Sequence, residues 1–134
     1  MKLSHTAARR ILDAAIAKAE EIEQPMNIAV VDDGARLVAF VRMDGAILAS
    51  IDIAQKKAFT AMALKTDTID LGPLTQPGQE LWGIEHTNGG LVTFGGGVVL
   101  RDAKGEPIGA IGVSAGSVEQ DVKVAKAGAA ALLK

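Results

Sequence analysis

A chain of 134 residues with 49% hydrophobic and 22% charged positions has the make-up of a folded domain, not of a disordered segment. A formal net charge of -2 without a basic run excludes the electrostatic footprint of a nucleic-acid binder. The absence of cysteine excludes disulfides, thiolate metal sites and a cysteine nucleophile.

No apolar stretch approaches the roughly 20 residues that span a bilayer. The opening MKLSHTAARRILDAA has neither the apolar run nor the cleavage site of a secretion signal. The sequence therefore reads as a cytoplasmic chain without a membrane partner, one domain over residues 1–134. Aromatic residues are 3%, with a single tryptophan, Trp82, and no tyrosine. Alanine, valine, isoleucine and glycine must fill the core, so its elements are expected to pack closely.

In chain order, Ser4 is a helix N-cap ahead of Ala8, Ile11, Leu12, Ala15, Ile16, Ala19 and Ile22, which recur with the helical period. Pro25 disfavours helical geometry at Gln24 and ends that helix. Ile28–Val31 and Leu37–Val41 flank Asp32-Asp33-Gly34 and predict a hairpin in which the aspartates are turn formers. A second helix is expected over Leu48–Leu64, with Ile47, Ile51, Ala54, Ala58 and Ala61 inward and Asp52, Gln55, Lys56 and Lys57 largely on the solvated side. From Thr66 to Gln79 the pattern breaks into an irregular segment.

Three further strands are expected at Leu91–Phe94, Val98–Arg101 and Pro107–Val113, the last two joined by a turn at Asp102–Gly105. Ser117-Val118-Glu119-Gln120 is a capping box opening a last helix, whose inward stripe is Val118, Val122, Ala125, Ala129 and Leu132. Short links between strands make the sheet antiparallel. The fold class is α+β, with about five strands and helices packed on them.

Glycine crowds the stretch from His86 to Ser117, yet neither the Walker pattern nor GxGxxG occurs in it. Gly95-Gly96-Gly97 leads into a strand, where three glycines predict a kink or a close approach by a neighbour. Ala115-Gly116-Ser117 offers backbone N–H groups at a helix start, although an ordinary cap accounts for it. Ser114 has the spacing of a nucleophile elbow, Gly112-Val113-Ser114-Ala115-Gly116, but no Asp/His pair is placed beside it. His5 and His86 are the only histidines, so three-histidine metal sites are impossible. Glu85 beside His86 is an acid–base candidate, and Asp52 with Gln55 would make only a weak metal pair.

Several linked motifs carry a family resemblance: Ala29-Val30-Val31-Asp32, Arg42-Met43-Asp44-Gly45-Ala46, Lys56-Lys57-Ala58-Phe59-Thr60-Ala61, Asn88-Gly89-Gly90, Phe94-Gly95-Gly96-Gly97 and Gly109-Ala110-Ile111-Gly112-Val113-Ser114. Together they cover nearly the whole chain, which resembles the GlcG/HbpS-like family, relatives of the C-terminal domain of PduO-type proteins. The resemblance implies a profilin-like fold, assembly into dimers or larger homo-oligomers, and a tie to haem in some members. Others are encoded beside glycolate, glycerol or propanediol enzymes. The Asp/Glu-x-x-Glu iron pattern of extracellular members becomes Asp52-Ile53-Ala54-Gln55 here.

The expectation is an oligomeric accessory protein of small-molecule metabolism that binds a small ligand, with haem the leading one. Haem needs an apolar slot and an axial donor. His86 is the expected donor, with Thr87, Asn88, Thr93, Phe94, Gly95 and Gly96 as neighbours. His5 is the alternative if the site lies between subunits. A purely structural accessory role and an enzyme acting on a small hydroxylated metabolite through Glu85 or His86 are the rival readings.

Overall fold

The computed structural model describes residues 1–134. Helix α1 (His5–Glu21) starts where Ser4 Oγ accepts the Ala7 N–H at 3.0 Å. It stops earlier than Pro25 requires. Glu23 takes a left-handed conformation, and Gln24 N donates back to Ala19 O at 3.0 Å, which closes the helix end. Strands β1 (Asn27–Asp32) and β2 (Leu37–Arg42) then form the expected hairpin. Asp32 Oδ1 accepts the N–H groups of Gly34 and Arg36, the local bond that makes aspartate a turn former. After α2 (Ala49–Leu64) and the short α3 (Thr68–Leu71) come two 3-10 turns, at Gly72–Thr75 and Ile84–His86. Strands β3 (Gly97–Arg101) and β4 (Pro107–Ser114) form a second hairpin, and α4 (Val118–Ala130) follows.

The sheet is antiparallel throughout, in the order β2-β1-β4-β3. It has four strands, not about five. Leu91 and Val92 are buried as a strand would be, but Val92 N donates to the Thr60 hydroxyl on α2 and not to a neighbouring strand. The outer edge of β3, where a fifth strand would pair, is occupied by side chains. Asp67 Oδ1 takes the Val99 N–H and Thr68 Oγ1 takes the Gly97 N–H, both at 2.9 Å. An edge answered in this way accepts no further strand.

Alternation along the strands separates two cores. Ile28, Val30, Val98, Leu100, Ile111 and Val113 pack with α1 and α4 on one face. Ala29, Val31, Val99 and Ala110 pack with Ala54, Ala58 and Ala61 of α2 on the other. The second core is built of small residues, and α2 lies very close to the sheet. A side chain at Gly112 would run into the carbonyl oxygen of Ala54.

Two inward faces differ from the sequence expectation. On α4 the buried residues are Asp121, Val124, Ala125 and Gly128, and Val118 is exposed. On α2 the buried set is Ser50, Ala54, Lys57, Ala58, Thr60, Ala61 and Met62, whereas Ile47 is exposed. Lys57, expected in solvent, is fully buried. Its ammonium donates to Asp121 Oδ2 at 2.9 Å and to Val113 O at 2.8 Å, and lies 4.9 Å from the centre of the Phe94 ring. Asp121 Oδ1 in turn accepts the Gly116 N–H at 3.0 Å. Burial pushes the Lys57 ammonium below the usual lysine range and the Asp121 carboxyl above the usual carboxylate range, and each charge offsets part of the other's displacement.

The Ser117 capping box is present: Ser117 Oγ accepts the Gln120 N–H at 3.2 Å, and Gln120 Oε1 accepts the Ser117 N–H at 2.9 Å. Ser117→Ala is expected to cost about 1 kcal/mol, read as a lower urea midpoint at unchanged slope. An unchanged midpoint would show that the cap contributes nothing.

Lys57→Met is expected to cost about 3–5 kcal/mol at neutral pH, because it strands the Asp121 carboxylate in the core. In that variant the Lys57 charge no longer offsets burial, and the Gly116 N–H is the smaller opposing influence, so the folded value of Asp121 stays raised while the unfolded chain returns to 3.8. The raised group adds stability that is full below the unfolded value and lost as pH rises through the folded one. Urea unfolding should therefore give a smaller loss near about pH 4 than near about pH 7, and Lys57→Met/Asp121→Asn should recover part of it. Equal losses at both pH values would contradict the charge assignment.

Candidate functional site

The residues singled out in the sequence fall into three places. His86 ends the Ile84–His86 turn and is exposed. Thr87 and Asn88 continue it: Thr87 Oγ1 donates to Ile84 O at 2.7 Å, and Asn88 Nδ2 donates to Thr87 Oγ1 at 3.0 Å. The turn is closed by Leu91 N, which donates to Glu85 O at 3.0 Å, and is anchored to α2 by Val92 N, which donates to Thr60 Oγ1 at 3.1 Å.

Thr93, Phe94, Gly95 and Gly96 form the passage from that turn into β3. Phe94 is half exposed and lies over the Lys57 ammonium. Gly95 and Gly96 are buried by the chain itself. A Cβ on Gly95 would come within 2.7 Å of Val122 and 2.8 Å of Ile69. On Gly96, where φ is +129°, it would come within 2.6 Å of both Lys57 Nζ and Val113 O. The close approach expected of these glycines is thus made by α2, α3 and α4, and it seats Phe94 over the ion pair.

His5 is on the other side of the molecule. It opens α1, on the sheet face opposite α2, and lines a surface depression of about 330 Å³ with Thr6, Arg9, Arg10 and Asp13. Arg10 is held there by two carbonyls at the end of α4, Ala131 O at 3.2 Å and Leu132 O at 3.0 Å. The depression has a nitrogen donor and two cations but no apolar wall. With α1 and α2 on opposite sheet faces, His5 and His86 cannot reach one ligand within a single chain.

A further concavity gathers Asn88 with Asp52 and Gln55, a grouping not anticipated from sequence. A cleft of about 360 Å³ opens between the β1–β2 turn, the exposed side of α2 and the Asn88-Gly89-Gly90 turn. Val31, Leu37 and Phe59 give it an apolar floor, and Arg36, Asp52, Gln55 and Lys56 give it polar walls. Asp52 and Lys56, one turn apart on α2, pair with each other at 3.2 Å along one wall. The signal available in the sequence was Asn88-Gly89-Gly90 itself, since Asn and Gly runs mark positive φ, and all three residues have it. No three histidine, aspartate or glutamate side chains converge anywhere in the chain, and no helix is long and apolar enough to cross a membrane.

Comparison with known proteins agrees with this architecture. The chain is 42% identical over 133 residues to the corrinoid adenosyltransferase PduO of Citrobacter freundii. That match takes in 98% of this chain but only 39% of PduO. A 15.0 kDa protein from the dhaT-dhaS intergenic region of Citrobacter freundii is 44% identical over 118 residues, 86% of this chain and 81% of that one. The crystal structure of a PduOC:haem complex superimposes with a TM-score of 0.93 at 40% identity, covering 98% of this chain and 95% of that one. The family model described as haem degrading protein HbpS-like matches residues 3–130, and the chain belongs to that HbpS-like family.

Proposed function

We propose that this chain is a haem-binding accessory protein acting as a homo-oligomer, with haem held where two copies meet. The observation that carries the reading is the near-complete correspondence with a domain whose haem complex has been crystallised. The location follows from the chemistry of this chain. Haem has an apolar face, two carboxylates and an iron that takes imidazole. At the α1 depression His5 supplies the imidazole, and Arg9 and Arg10 supply cations for the carboxylates. The apolar walls are missing there and would come from a second copy, which has exposed Ile47, Leu48 and Trp82 to offer. Bound haem would supply an iron centre, and the chain's part is to orient it and shield one side from water.

His86 remains the second donor. Half-exposed Phe94 and exposed Trp82 belong to the stretch around it, so apolar rings are at hand. Unlike His5, however, His86 lines no concavity of the single chain. A profilin-like helix–sheet–helix arrangement leaves both surfaces free for assembly. A place beside diol or glycerol metabolism is supported by the relatives' names, PduO and the dhaT-dhaS protein, and the adenosyltransferase activity of the much longer PduO is not assigned to this chain.

Titrating haemin with the protein should sharpen and shift the Soret band. His5→Ala should remove the shifted band or weaken binding roughly tenfold or more, because water and hydroxyl oxygens are poorer donors to the iron. His86→Ala should leave it in place. The opposite pattern would transfer the site to the Ile84–His86 turn, and a broad band insensitive to both substitutions would refute histidine ligation.

Sedimentation at micromolar concentration is expected to show multiples of 13.8 kDa, and a purely monomeric boundary with and without haem would end the inter-subunit proposal.

A further inference from the structure

The cleft beside α2 has features that haem does not call for. It contains no histidine, methionine or cysteine, the side chains that commonly take an axial position on haem iron. Its charged walls are two cations, Arg36 and Lys56, against one carboxylate, Asp52. Lys56 is shared with Asp52 at 3.2 Å, but Arg36 has no carboxylate partner in the chain.

The third wall is backbone. Asn88, Gly89 and Gly90 follow one another with φ of 55°, 70° and 111°. Three successive positive φ values, one of them on a residue with a side chain, are an uncommon conformation. The N–H groups of Asn88 and Gly89 find no acceptor within the protein, although Gly90 N and Leu91 N do. A Cβ on Gly90 would come within 3.3 Å of Lys56 Nζ, so the lysine ends against this turn, and the φ of 111° there favours glycine. Cations, unanswered N–H donors and a glycine turn thus line one cleft, with Lys56 against the turn. Its floor is the apolar surface of Val31, Leu37 and Phe59.

We propose that this cleft binds a small aliphatic monocarboxylate. The excess of one positive charge suits a monoanion. Its carboxylate pairs with Arg36 and Lys56 and takes the free N–H groups of the Asn88-Gly89 turn, as carboxylates do with guanidinium and backbone donors. Its alkyl chain covers Phe59 and Leu37. Asp52 competes for Lys56, which sets a modest affinity and makes the occupied and empty states differ by one ion pair. The site is separate from the α1 depression and stands whether or not haem binds there.

The test is amide-resolved NMR of the full chain titrated with sodium butyrate, with sodium chloride and n-butylamine hydrochloride at matched ionic strength as controls. Butyrate should shift the Asn88, Gly89 and Gly90 amides saturably, with a Kd on the order of 1–10 mM. Neither control should do so. Arg36→Gln and Lys56→Gln should each weaken the effect roughly tenfold. Asp52→Asn should strengthen it by freeing Lys56. The three substitutions are at the surface, and an unchanged spectrum away from the cleft verifies that each variant is folded. Shifts reproduced by chloride, shifts indifferent to Arg36→Gln and Lys56→Gln, or no saturation by about 100 mM would each overturn the proposal.

Discussion

An ammonium group taken wholly out of water must have its hydrogen bonds answered and its charge balanced, and Lys57 is the place where this chain meets that demand. Its partners come from three separate segments: the Val113 carbonyl at the end of β4, the Asp121 carboxylate on α4, and the Phe94 ring in the passage to β3. Because α2 lies on one face of the sheet and α4 on the other, the ion pair is a tie around the sheet's end. The tie fixes its neighbours in turn. Asp121 orders the Gly116 backbone just before the α4 cap, and the room Lys57 occupies is room that Gly96 and Gly97 must leave. Replacing one charge therefore disturbs two helices and a strand entry, whereas replacing both with fitting neutral groups removes the demand.

That tie was the part of the fold hardest to read. Lys56 and Lys57 are adjacent and identical in local sequence, and one is a surface residue and the other the largest fully buried side chain. The distinction comes from a partner 64 positions away. Spacing held a hint, since Ser50, Ala54, Lys57 and Ala61 recur at helical intervals, as do Asp121, Val124, Ala125 and Gly128. Opposite charges on two inward stripes suggest each other. Signals contained within a few residues were legible: the caps at Ser4 and Ser117 and the Asp32 turn depend only on bonds to the next few N–H groups. Leu91–Phe94 shows the converse. An apolar run specifies burial, but whether it pairs as a strand depends on who occupies the neighbouring edge, and here Asp67 and Thr68 already do.

The candidate site residues divide along the same line. Local sequence placed His86, Thr87 and Asn88 in a turn and brought Gly95 and Gly96 under a close neighbour. It had no means of showing that His5 lies across the sheet from them, or that Arg36 and Lys56 line one cleft with Val31, Leu37 and Phe59. Family membership narrows the chemistry without locating it, because a fold hosts sites on any of its surfaces. What this chain contributes is two chemically distinct concavities on opposite faces. One is imidazole- and arginine-lined at the start of α1, and the other is cation- and amide-lined beside α2.

The clasp of Asp67 and Thr68 on β3 also governs how copies of the molecule can meet. A four-stranded sheet has two outer edges, and the one at β3 has its donors at Gly97 and Val99 already taken. No comparable side-chain clasp covers β2 at the other end. Edge-to-edge joining would therefore be one-sided: a pair formed β2 to β2 would carry β3, with those donors taken, at both ends. A filament needs a sticky edge on each side of every unit, and this fold supplies one. Higher assemblies built on such a pair must grow through helix faces, where stoichiometry is set by symmetry and not by an open-ended ladder.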